Sequence, residues 1–161
     1  MAEQFSYMLT WFELFQAAQV GISRQIDNLR KGAKEAYGEP VEPWFAHIQG
    51  ACGELLVARH YDWFWSGQLG NYRARDAGPV QVRSARRPTD RLCLHKRDQA
   101  DQIFVLVTGE PPMMRMCGWL RAGDGQQPEF WTDPGTGRAA YFVPQHMLHP
   151  MADLRQALER R

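Results

Sequence analysis

The stretch Asp76-Ala77-Gly78-Pro79-Val80-Gln81-Val82-Arg83-Ser84, followed downstream by Ile103-Phe104-Val105-Leu106-Val107, decides the fold class of this chain. Ala77-Gly78-Pro79 is turn chemistry. Val80 and Val82 then alternate with Gln81 and Arg83, so residues 79–84 predict a strand with one apolar and one polar face. Residues 103–107 are apolar without interruption, which predicts a central strand covered on both sides. Around these two, the pattern predicts further short strands over 71–75, 91–95, 114–120 and 140–143, with the central one extending over 102–108. Gly109-Glu110-Pro111-Pro112 separates two of them as a turn.

Upstream the period changes to that of a helix. Thr10 and Glu13 have capping-box spacing, and Trp11, Leu14, Phe15, Ala18, Ile22, Ile26 and Leu29 recur at helical intervals. This predicts a helix over about 11–36, bent near Gly21 and stopped by Tyr37-Gly38-Glu39-Pro40. A second helix is expected from Pro43, a residue suited to a first turn, with Phe45, Ile48, Ala51, Leu55 and Ala58 facing inward. Glu54 falls at the rim of that face, and Gly50 and Gly53 are expected to admit a close neighbour. A short helix over 151–160 closes the chain. Helices, then strands, then a helix predict an α/β (α+β) fold in a single domain over 1–161. Within it, 10–37 forms the N-terminal helix, 42–108 the central segment, and 109–161 the C-terminal strands and closing helix.

Composition agrees with a globular domain. Of the 161 residues, 44% are hydrophobic and 23% charged, enough for one ordinary core. Cys52, Cys93 and Cys117 are dispersed and odd in number, which argues against a disulfide scaffold or a zinc knuckle. No eighteen-residue apolar run and no signal-type opening occur, so a cytoplasmic protein with no membrane association is expected. Neither GxGxxG nor GxxxxGK[ST] is present, which removes the main support for dinucleotide and P-loop readings. His146 and His149 lack a third ligand at zinc spacing, so packing or surface roles are expected for them. Trp63-Phe64-Trp65 is read first as a core cap.

The net charge is +1, but it is unevenly spread. Eight basic residues fall within 73–97 (Arg73, Arg75, Arg83, Arg86, Arg87, Arg91, Lys96 and Arg97), opposed there only by Asp76 and Asp90. Such a run is either a solvated face or a contact surface for phosphate. In the second case Arg75, Arg86, Arg87 and Arg91 are the expected contacts to a nucleic-acid backbone.

Three features come together here: Glu54 on a helix within Gly50-Ala-Cys-Gly-Glu54, Asp76 before a turn, and Gln81-Val-Arg83 on a strand. In that order they resemble the core of the PD-(D/E)XK nuclease superfamily, and the chain as a whole resembles small phage or prophage proteins. The resemblance implies a restriction-endonuclease-like α-β-β-β-α-β core over 42–108. It further implies metal-dependent hydrolysis of DNA phosphodiesters, with Glu54, Asp76, Gln81 and Arg83 as the catalytic set. Mg²⁺ is the implied cofactor, held by Glu54, Asp76 and Gln81. Two letters depart from the superfamily pattern. Gln81 replaces a carboxylate and offers only a carbonyl oxygen. Arg83 replaces a lysine and cannot serve as a general base, although it can grip phosphate. The alternatives are a catalytically inactive nucleic-acid binder using the basic loop at 83–91, and a phage structural or interaction module. The long first helix suits a homodimer contact or a protein partner.

Overall fold

The structure, a computed structural model, describes residues 5–32, 42–69, 75–133 and 137–160. Strand β1 (Phe5–Met8) leads into helix α1 (Trp11–Lys31), followed by helix α2 (Pro43–Tyr61). Then come β2 (Gln81–Ala85), β3 (Leu92–Leu94), β4 (Ile103–Glu110) and β5 (Met113–Arg121). A short helix α3 (Ala122–Gly125), strands β6 (Trp131–Thr132) and β7 (Ala140–Val143), and helix α4 (Leu154–Glu159) complete the chain. Four strands form a mixed sheet in the order β1-β5-β4-β2, with β2 parallel to β4 and the other pairs antiparallel. The remaining three form a small antiparallel sheet in the order β3-β7-β6. The class is α+β, in one compact domain.

The alternation in β4 organises three layers. Ile103, Val105 and Val107 join the core under the helices, with Val80, Val82, Ala51, Leu56 and Val57. Phe104 and Leu106 face the other way, into a second core with Leu92, Leu94 and Val143 from the small sheet. The uninterrupted apolar run at 103–107 is therefore a central strand buried on both faces, as its composition implied.

Several boundaries differ from the sequence reading. Helix α1 ends at Lys31 because Gly32 takes the left-handed conformation (φ 57°) and caps it, so the stop comes before residue 36. Residues 33–41, including the Tyr37–Pro40 signal, lie outside the described residues. So do 70–74, leaving of the expected strand at 71–75 only Arg75, which is not in a strand. The capping box at Thr10 and Glu13 forms as expected.

Gly21 is a contact point: a Cβ there would stand 2.5 Å from Ile48 Cα, so the glycine lets α1 cross close against α2. Strand pairing continues through Gly109 and Glu110 to a turn at Pro111-Pro112. Strands β1 and β6 had no signal of their own. β1 is a four-residue edge, and β6 has two residues.

Helix α2 is buried far more completely than a one-sided stripe predicts. Cys52, Gly53, Leu56 and Val57 are as deep as Ala51 and Ala58, because α1 covers one side of the helix and β2–β4 the other. Phe45, Ile48 and Leu55 sit only partly buried. Gly53 makes this possible, since a Cβ there would fall 2.2 Å from Ser84 Oγ on β2.

Candidate functional site

Among the described residues β2 is an edge strand, and a cleft of about 950 Å³ runs along its open side. Glu54 from α2, Asp76 from the turn, and Gln81 and Arg83 from β2 all line it. Arg75 lines it too. The four residues proposed as a set from their order in the sequence thus share one cavity, contributed by three separate segments.

Local folding explains their placement. Backbone bonds between Ala77 and Val80 close a tight turn in which Gly78 has φ 50° and a Cβ would stand 2.6 Å from the Trp63 ring. That turn folds Asp76 back beside β2, where one carboxylate oxygen accepts the Val82 N–H at 2.8 Å. The side chain takes the place of a neighbouring strand at the sheet edge. Val80 and Val82 enter the core, which leaves Gln81 and Arg83 on the opposite side of the strand.

Glu54 is only 7% exposed, so the expectation of a rim position is corrected to a buried one. Arg24 of α1 holds it in a bidentate pair at 2.7 and 2.9 Å, and Trp65 Nε1 donates to the same carboxylate at 3.0 Å. A buried carboxylate needs such partners. Asp76 is less well compensated. Burial, and secondarily the Glu54 charge, push its pKa up to about 6, although the Val82 N–H, Arg83 and Arg24 pull the other way.

Arg83 lies across the Phe104 ring, 4.7 Å from its centre, and reaches Asp98 only at 3.3–3.4 Å. Its Nε is buried with no hydrogen-bond partner among the described residues. One donor of the fork therefore still lacks an acceptor. Asp98 is fixed from the other side by the His95 N–H at 2.8 Å. Burial, followed by the nearby Arg83 charge, lowers the His95 pKa to about 4, so its ring is neutral at physiological pH.

The basic loop is placed differently from the site. Arg86 pairs with Glu42 and Glu110 and covers the Phe45 ring, at the far end of β2. Arg87 and Arg91 are exposed, and none of the three lines the cleft. The additional cationic groups of the cleft are Arg24 and Arg97. Arg97 was visible in the basic run, whereas Arg24 sits in an amphipathic helix and carried no signal of its own.

The aromatic and histidine clusters resolve into packing. Trp63 stacks on Tyr61 with ring centres 4.6 Å apart, and His149 lies tilted against Trp119 at the same separation. Phe64 is the exception and projects into solvent. Cys52, Cys93 and Cys117 form no disulfide. No helix among the described residues is long and apolar enough to cross a membrane.

Among the described residues, no group of three or more His, Cys, Asp or Glu side chains gathers around a common point. A cation in the cleft would therefore rest on two carboxylates and an amide. Comparison with protein-family models, with curated proteins and with solved structures finds no match. The functional reading accordingly rests on the cleft.

Proposed function

We propose that the protein is a metal-dependent phosphodiesterase of the PD-(D/E)XK nuclease type, acting on DNA in the cleft beside β2. The observation carrying this reading is that Glu54, Asp76, Gln81 and Arg83 all line one cavity. Their order in the sequence groups them independently of that geometry.

The donor chemistry fits a hard cation. Two carboxylates and an amide oxygen are the ligand types that magnesium takes. The Glu54 charge that helps raise the pKa of Asp76 is a repulsion that a shared cation relieves. Glu54, Asp76 and Gln81 would hold Mg²⁺, which supplies charge neutralisation at the phosphate and a more acidic bound water. Arg83 lines the cleft and offers the accessible part of its guanidinium to a phosphate oxygen, stabilising the negative charge that grows there. A guanidinium is not a general base, so its contribution is charge and hydrogen bonding alone. Arg24 holds the Glu54 carboxylate in place through its two hydrogen bonds until a cation competes for it. Arg75 and Arg97 extend the positive lining of the cleft, giving contacts to the backbone without reading bases. A phage-encoded protein in the host cytoplasm suits this activity.

One observation favours a second reading, a binder that does not cut. Arg24 and Trp65 already occupy the Glu54 carboxylate, and the guanidinium supplies the positive charge a metal would bring. Cleavage of supercoiled plasmid and of labelled single strands decides between them, with Mg²⁺ or Mn²⁺ against EDTA. Metal-dependent cutting that is lost in folded Glu54→Ala and Asp76→Ala proteins is expected. Nucleic-acid binding with no cutting under any condition would overturn the nuclease reading in favour of the binder.

A further inference from the structure

The apolar stripe of α1 faces away from the core. Its buried positions are Ala17, Gly21 and Gln25, all small or polar. Between Trp11 and Leu29 every exposed position is apolar or glutamine, a charge-free face about 27 Å long at the helical rise. Trp11 is 74% exposed, Phe12 68%, Phe15 60% and Leu29 62%, with Ile22 and Ile26 between them. Trp11, Phe15, Ile22, Ile26 and Leu29 follow one another at intervals of four, seven, four and three, the spacing of a helix–helix seam.

We propose that a second copy of this chain covers this face, with the two α1 helices packed antiparallel about a twofold axis. Area supports a partner of this size. At the exposures given, six such side chains present roughly 600–700 Å² of apolar surface per copy, more than the usual patch on a monomer. Two copies together bury roughly 1,300 Å², which clears the lower bound for a specific interface.

Charge supports a copy of the same helix. A face without charges meets itself without repulsion, as a twofold contact requires. Antiparallel packing opposes the two helix dipoles, and Glu13 and Lys31 are already engaged within the chain by Arg59 and Asp27, so neither brings an unpaired charge to the contact. Arg24, Asp27 and Asn28, which line the cleft, project from the opposite side of α1, so pairing leaves the cleft open. A groove of about 620 Å³ adjoins the stripe and runs to the loop after α2, with a mixed lining in which Phe64 and Trp65 stand beside Arg59 and Ser66.

Analytical ultracentrifugation of the full chain, without nucleic acid or metal, reads this independently of any cleavage. A mass about twice 18.6 kDa is expected at micromolar concentration. The double variant Phe15→Glu/Ile22→Glu keeps helix propensity and touches only exposed positions. It is expected to weaken association by roughly 100-fold while the circular dichroism stays native. A wild-type chain that stays monomeric to roughly 100 µM overturns the proposal and assigns the face to a different partner. A dimer unchanged by the double variant overturns it as well, by placing the contact elsewhere.

Discussion

Asp76→Asn should make the protein more stable at neutral pH. The carboxyl titrates at about 6 in the fold against 3.8 unfolded, so the folded state holds its proton more tightly. A raised pKa of this kind contributes stability below pH 4 and loses it as pH rises through 6. Above that, the ionised Asp76 opposes folding by about 3 kcal/mol, from a shift of roughly two units at 1.36 kcal/mol each. Asparagine imitates the protonated acid at every pH, and its carbonyl oxygen still accepts from Val82 N–H. The Val82 N–H bond, stronger to a carboxylate than to a neutral acceptor, is already counted in that shift, so the net gain at pH 7.5 is about 3 kcal/mol, or roughly 6–12 °C in Tm for a chain of this size. Thermal unfolding of both proteins in EDTA at pH 4.0 and 7.5 measures it. The variant should lie within about 1 kcal/mol of wild type at pH 4.0 and exceed it by more at pH 7.5. A variant less stable than wild type at pH 7.5, or an equal difference at both pH values, would refute a carboxylate strained by burial and by Glu54.

Arg24→Gln should destabilise the metal-free protein by about 3 kcal/mol, because Glu54 is left buried without its cationic partner. Millimolar Mg²⁺ should recover part of that loss in a melt, and more of it than wild type gains. Gly53→Ala should cost about 2 kcal/mol in a denaturant titration through its clash with Ser84 Oγ, and adding Ser84→Ala should return most of it. Thr10→Ala should cost about 1 kcal/mol through loss of the α1 cap, with the cleft and its binding unchanged. Arg83→Ala should weaken DNA binding and lower the salt slope by about one phosphate contact, measured by fluorescence anisotropy at several salt concentrations.

The α+β class and the central strand were legible because they depend on local alternation and on an uninterrupted apolar run. The site residues were legible in order alone. Asp76, Gln81 and Arg83 sit within eight positions of one another, so a turn and a pleat are enough to bring them together. Glu54 needed its helix, and its depth was misread because a single amphipathic stripe says nothing of a second covering layer. Arg24 was invisible for the same reason, since its partnership with Glu54 spans the packing of α1 on α2. The stripe on α1 was read correctly as periodic, but periodicity cannot say which face meets the core. Ala17 and Gly21 form the inner face because close helix crossing favours small residues over large ones. The basic loop drew attention by density, yet Arg86 is engaged with Glu42 and Glu110 across long sequence gaps.

The most direct measurement of whether Glu54 and Asp76 share a cation is a Mn²⁺ titration of the intact protein at pH 7.5, followed by electron paramagnetic resonance. The wild type should take up one ion, and Glu54→Gln and Asp76→Asn should each raise its Kd at least tenfold. Absence of binding at millimolar Mn²⁺, or binding that both variants retain unchanged, would contradict a metal site in the cleft.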